Sequence, residues 1–239
     1  MRSILGAVIV VALTLSGCTD WPRNAAERGD PEGQYNLGVM YEKGLRVTPD
    51  YAEAAKWYRA AADQGFADAQ YNLGSLYADG LGVPQDYTEA ASWYRLAAEQ
   101  GLREAQYELG LLHDQGHGVL RDPVEAAKWY RLAADQGLVD AQFNLAILLT
   151  EGQGLEVDYD EAAALFRTAA QAGDAEAQLA LARMHEDGLG RPVNLVQAYL
   201  WSNRAVNNGN EKAPAVRDRV AGLMSAEELD EAKRLAIER

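Results

Sequence analysis

"KWYRAAADQG" occupies residues 56–65, and the chain writes it again as "SWYRLAAEQG" at 92–101 and "KWYRLAADQG" at 128–137. A fixed period of this kind marks repeated structural units. Residues 30–65, 66–101, 102–137, 138–173 and 174–209 fall under one another without a gap at a period of 36. Every copy ends in glycine (Gly65, Gly101, Gly137, Gly173, Gly209) and carries an inner one (Gly44, Gly80, Gly116, Gly152, Gly188). Two residues further on, four copies have a second inner glycine (Gly82, Gly118, Gly154, Gly190), and the first copy has Arg46.

Each copy reads as helix, turn, helix. In the first half Ala69, Leu73, Leu76 and Tyr77 fall on one stripe of a 3.6-residue helix. Gly80 then ends that helix, because glycine takes the left-handed conformation without a Cβ clash. The second half opens on Asp-x-x-Glu: Asp50/Glu53, Asp86/Glu89, Asp122/Glu125 and Asp158/Glu161, weakened to Asn194/Gln197 in the last copy. That spacing predicts a capping box, the Asp accepting from first-turn N–H groups and the Glu reaching back to the N–H of the cap. Pro123 suits a first helical position. In the second helix Ala90, Trp93, Ala97 and Ala98 form the apolar stripe.

A two-helix unit of this size cannot bury its own stripe, so each copy must lean on its neighbour. Trp57, Trp93, Trp129 and Trp201, with the paired alanines, are the expected packing parts. "AAERG" (25–29) echoes the end of a repeat and predicts an N-terminal cap. "SAEELDEAKRLAIER" opens on a Ser-x-x-Glu box (Ser225, Glu228) and turns Leu229, Ala232 and Ala236 to one face, as a terminal helix should.

The chain of 239 residues has 36 Asp+Glu against 22 Lys+Arg, a net charge of -14, so a nucleic-acid partner is not expected: phosphates would be repelled. Its one cysteine sits in "MRSILGAVIVVALTLSGC", where a basic residue, a short apolar run and small residues form a signal-peptide pattern. The apolar run falls short of the roughly 20 residues that span a bilayer. Leu15-Ser16-Gly17-Cys18 resembles the bacterial lipoprotein cleavage box. That resemblance implies removal of residues 1–17 and lipidation of Cys18; the alternative is a soluble secreted protein cut after Gly17, or a free thiol. Residues 18–29 are then the lipidated cysteine, a short tether (19–24) and the N-terminal cap.

"AQYNLGSLYADGLGVPQDYTEAASWYRLAAEQG" (69–101) resembles the Sel1-like repeat, a relative of the tetratricopeptide repeat. The likeness covers residues 30–209. It is strongest in the first three copies and decays afterwards, with Leu165 at the Trp position and Tyr199, Ser202 and Arg204 breaking the last copy. It implies an all-α fold: an α/α superhelical solenoid of five helix–turn–helix repeats, residues 210–239 forming a C-terminal capping helix pair, with first helices that line a partner-binding face.

No catalytic constellation stands out. His113 and His117 are four apart around Asp114, but His113 and His185 fill the packing column of Tyr41 and Tyr77, and His117 lies past the helix stop. There is no Ser-x-x-Lys, no Gly-x-Ser-x-Gly and no phosphate-cradling loop. No cofactor or metal is implied. Some disulfide-rich members of the resembled family were linked to penicillin binding, but their cysteine pairs are absent here, and a penicillin-binding or wall-hydrolysing enzyme is the least favoured reading.

Superposing the tetratricopeptide pattern places three columns on the binding face. One is acidic: Glu32, Asp68, Glu104, Asp140, Glu176. A carboxylate in a first turn also favours the helix dipole. The second is Tyr35, Tyr71, Tyr107, Phe143, Leu179; the third is Asn36, Asn72, Glu108, Asn144, Ala180. Rings and amides suit an extended peptide, though the aromatic column fits internal packing as well. Arg59, Arg95, Arg131 and Arg167 fall on second helices and are expected to pair with Asp63, Glu99 and Asp135 one turn on. The favoured reading is a non-enzymatic scaffold, lipid-anchored in the bacterial envelope, holding a periplasmic protein or peptide with basic segments. The alternative is a connector in a polysaccharide-export or wall-synthesis complex. Thr19 after Cys18 favours the outer membrane over the inner.

Overall fold

The computed structural model describes residues 21–153 and 155–237. Among them the secondary structure is thirteen α-helices and no strand. The chain divides into two compact units, Met1–Gln85 and Asp86–Arg239. The first holds α1 (Trp21–Glu27), α2 (Pro31–Lys43), α3 (Tyr51–Ala62) and α4 (Ala67–Asp79). The second holds α5 (Tyr87–Glu99), α6 (Arg103–Gln115), α7 (Pro123–Asp135), α8 (Val139–Glu151) and α9 (Tyr159–Gln171). It continues with α10 (Ala175–Asp187), α11 (Leu195–Asn207), α12 (Ala213–Leu223) and α13 (Ala226–Ile237). Within each unit every repeat helix packs on the ones before and after it, the stacked helix pairs that the period predicts. At the start α1 lies against α2 with Ala25 and Ala26 buried; at the end α12 and α13 both pack on α11. Because α1 begins at Trp21, residues 21–24, expected to be tether, belong to the cap helix instead. Residues 1–20, with the cleavage box and Cys18, lie outside the described residues.

The caps come out by halves. Asp50, Asp86 and Asp122 each accept two first-turn N–H bonds, and Asp158 and Asn194 accept one. The glutamates do not reach back as expected. The cap's own N–H is already taken: Asp50 donates to Tyr41 O, Asp122 to His113 O, Asp158 to Leu149 O and Asn194 to His185 O. Each of those bonds ties the second helix to the last turn of the first, and Glu53 and Glu125 turn to Lys56 and Lys128. Among the described residues the reciprocal box is complete at α13: Ser225 N–H donates to Glu228 Oε2 at 2.9 Å while Glu228 N–H donates to Ser225 Oγ at 3.2 Å.

The core also differs by one residue from expectation. The rings at its centre are Tyr58, Tyr94, Tyr130 and Phe166, whereas Trp57, Trp93 and Trp129 are half-buried, and only Trp201 is buried. In α3 the buried set is Ala54, Ala55, Tyr58, Ala61 and Ala62, an i, i+1, i+4, i+7, i+8 stripe; Trp57 sits about 100° round the helix from Tyr58. The tyrosine ring is received by a first-helix glycine. A Cβ on Gly110 would stand 2.7 Å from the Tyr130 ring, and one on Gly38 2.6 Å from that of Tyr58. Packed interiors concede no such overlap.

A column of glutamines, not singled out in the sequence, crosses between repeats. Gln34, Gln70, Gln106, Gln142 and Gln178 are all buried. Each donates from Nε2 to a carbonyl near the end of the preceding second helix: Ala26 at 3.4 Å, Ala62 at 3.2 Å, Ala98 at 3.1 Å, Ala134 at 3.3 Å and Ala170 at 3.0 Å. Gln64, Gln136 and Asn208 then donate to Oε1 of Gln34, Gln106 and Gln178 at 2.8, 2.8 and 3.0 Å. The same three amides also bond the carbonyls of Gly29, Gly101 and Gly173. Orphaned helix-end carbonyls are thereby satisfied by the next repeat.

Candidate functional site

The three columns meet within each unit. In the first unit Glu32 and Asp68 are exposed in the first turns of α2 and α4, while Tyr35, Asn36, Tyr71 and Asn72 are half-buried one turn on. The Tyr35 ring packs 5.9 Å from that of Tyr58 and 5.2 Å from that of Phe66, so part of it belongs to the core. Its hydroxyl sits beside Asn72 and the Asp68 carboxylate of the following repeat, and burial followed by Asp68 raises its pKa.

The second unit repeats the arrangement. Glu104, Tyr107, Glu108, Asp140, Phe143 and Asn144 are all half-buried. Tyr107 packs 5.8 Å from Tyr130, and Phe143 packs 5.6 Å from Phe166, edge to face. Asn144 Nδ2 donates to the Tyr107 hydroxyl at 3.4 Å. Burial, then Asp140 and Glu108, push Tyr107 up to about 12, so the phenol stays protonated as a donor. Asp140 is itself raised, by burial and by Asp174. The ladder stops at the last copy, where Leu179 is buried and Ala180 stands in place of the amide. An aromatic face with amide and carboxylate groups at its rim offers contact area and hydrogen bonds together.

The arginine column departs from expectation. Rather than pairing one turn on, Arg59 reaches forward to the Tyr77 hydroxyl and lies over its ring at 5.6 Å, Arg95 approaches His113 Nε2 at 3.2 Å, and Arg131 binds Glu161 at 2.6 Å. These partners lie on the next repeat, where the second-helix arginines point, and not on the solvated side of their own helix. His113 is buried beneath Arg95, and His117 stacks on Tyr87 at 5.0 Å, so the two histidines do not share a face. Among the described residues no group of three or more His, Cys, Asp or Glu could hold a metal, and no helix is long and apolar enough to cross a membrane. A cavity of about 420 Å³ in the second unit is lined by amides (Gln171, Gln178, Asn203, Asn207), Arg204 and Leu200.

The Sel1 repeat matches this chain five times, over residues 31–66, 67–102, 103–138, 139–174 and 175–210. The chain belongs to the Sel1 repeat family. Among solved structures, its fold is similar to a protective antigen of uropathogenic Escherichia coli strains displaying an SLR fold, at 37% identity and a TM-score of 0.82 over 92% of this chain. It spans 48% of that antigen, about half its length. A Sel1 repeat protein from Oxalobacter formigenes is 34% identical with a TM-score of 0.76, over 87% of this chain and 88% of that one. A putative Sel1 repeat protein from Klebsiella pneumoniae shares the fold at 24% identity and a TM-score of 0.50, over 84% of this chain and 97% of that one. No curated protein matches the chain at a significant level. Sel1 repeat proteins are typically protein–protein interaction scaffolds without catalytic activity, and the Sel1 repeats here carry the same stacked helix pairs.

Proposed function

We propose that this Sel1 repeat protein is a non-catalytic scaffold, held in the bacterial envelope by lipid on Cys18 and facing the periplasm, that grips a protein or peptide segment rich in Lys or Arg. The observation that carries the binding reading is the repeated meeting of ring, amide and carboxylate: Tyr35 with Asn72 and Asp68, and Tyr107 with Asn144 and Asp140. Aromatic faces supply contact area at low entropic cost, and the carboxylate rim, on a chain of net charge -14, selects and steers cationic segments. The anchor rests on the Leu-Ser-Gly-Cys box ending at Cys18, and Thr19 favours the outer membrane.

In-cell cross-linking followed by identification of the attached protein tests the binding reading. The comparison is with a variant carrying Glu32→Gln, Asp68→Asn, Glu104→Gln and Asp140→Asn, whose side chains keep their shapes. The variant is expected to lose most of the cross-linked partner, and the wild-type complex to weaken as salt rises. A variant that holds the same partner with the same salt dependence overturns the assignment of the face. For the anchor, Cys18→Ser protein should be released by a carbonate wash, and retention on membranes refutes lipidation.

A further inference from the structure

Three positions in the last repeat change the charge pattern of the others. Where α7 meets α9, Arg131 is matched by Glu161, part of the column Glu53, Glu89, Glu125, Glu161. In the last copy that column holds Gln197, so Arg167 has no carboxylate in the equivalent place. A second column, Val47, Val83, Val119 and Leu155, becomes Arg191. A third places His185, only 5% exposed, where Tyr77 accepts from Arg59. Three replacements thus bring two guanidiniums and an imidazole together on α9, α10 and the turn after α10: both arginines act on His185, and Arg167 acts on Arg191.

The cluster is not internally satisfied. Both ring nitrogens of His185 and Nε of Arg191 are buried without a hydrogen-bond partner. Among the described residues Arg167 and Arg191 form no ion pair, and the carboxylate that acts on Arg191 is Asp160. Burial and the two arginines push His185 down to about 4, so near neutral pH it is an uncharged donor and acceptor beneath two fixed cations. Buried polar groups without partners are few in native proteins, and each calls for a ligand or a function. Two guanidiniums set against the single carboxylate of Asp160 leave an excess of positive charge suited to bidentate recognition of an oxyanion.

We propose that Arg167, Arg191 and His185, with the Gln197 amide at the rim, form a binding site for an oxyanion, either a phosphate group or a carboxylate. The bound group supplies to Arg167 the negative charge that Glu161 supplies to Arg131.

The test uses the full chain in chloride buffer at fixed ionic strength near neutral pH. It is titrated with inorganic phosphate and, separately, with acetate, while the His185 imidazole resonances are followed by NMR. A saturating shift of His185, absent from His117, is expected with at least one probe. Preference for phosphate indicates a free or esterified phosphate as the natural ligand; preference for acetate indicates a carboxylate. Arg191→Val and Gln197→Glu each restore the residue type of the other copies and should fold. In chloride their thermal midpoints should lie above wild type, since one removes a cation and the other adds an internal counter-charge. Either change should weaken the anion response by about tenfold or more, the loss of one charge-assisted hydrogen bond. Failure of both probes to shift His185, or an undiminished response in Gln197→Glu, overturns the site.

Discussion

At the scale of single residues, the glutamine column explains an exception in its own pattern. Gln34, Gln106 and Gln178 each accept at Oε1 from an amide at the end of their repeat's second helix. The corresponding position in the fourth repeat is Ala172, and Gln142 Oε1 is buried without a partner. Ala172→Gln is therefore expected to stabilise the protein by about 1 kcal/mol, the net value of one hydrogen bond that also relieves a buried acceptor. The thermal midpoint should rise by a few degrees, and a midpoint equal to or below wild type counts against the ladder. These glutamines stood in every copy, yet periodicity did not expose them. They occupy an edge of the apolar stripe, where a polar residue reads as solvent-facing, and only the carbonyls of a neighbouring repeat give them partners. The tyrosines of the candidate face stood out for the opposite reason: large rings at a fixed period must touch something. Their double role, half in the core and half at the rim, follows from Tyr58 and Tyr130 lying behind them, which the sequence alone does not place.

At the scale of the elements, the turns were read almost completely because glycine is tied to backbone geometry. Gly116 has φ 73 and ends α6 with its N–H on Leu112 O, as a left-handed stop should. The second inner glycine has a different cause. A Cβ on Gly118 would lie 2.2 Å from the carbonyl carbon of Tyr87, at the start of the preceding repeat's second helix, and Gly82 stands in the same relation to Tyr51. These residues let one repeat's turn rest on its neighbour's backbone. Arg46 holds the equivalent place at φ 64, the only non-glycine with positive φ among the described residues. Two substitutions separate conformation from contact. Gly118→Ala should cost more than about 2 kcal/mol, combining left-handed strain with a backbone clash. Arg46→Gly should stay within about 1 kcal/mol of wild type, because relief of strain offsets the added freedom of the unfolded chain. Equal losses at both positions, measured by chemical denaturation, would show that the close approach of Gly118 has no energetic weight. The capping glutamates were misread at this scale. The sequence shows which cap is offered, but not that a carbonyl of the preceding helix has already claimed the cap's N–H.

At the scale of the whole molecule, the strict period of 36 is that of a repeat array, and within each unit a repeat depends on its neighbours for its core. Residues 103–138 are one complete matched repeat, so their excision joins equivalent positions and leaves every remaining turn, cap and glutamine with a partner of the same type. The shortened protein is expected to unfold in one cooperative transition at a lower midpoint, because stability in such arrays is a sum of unit terms and neighbour interfaces, and one of each is lost. If the blocks were self-sufficient, the excision would leave the midpoint unchanged and reduce only the heat absorbed. Calorimetry distinguishes the two outcomes. The excision removes Glu104, Tyr107 and Glu108 with their block and leaves Arg167, Arg191 and His185 in place. A cooperative shortened chain should therefore bind phosphate or acetate as the full one does, while its grip on a basic segment weakens. That division is what separate binding faces on an additive scaffold require.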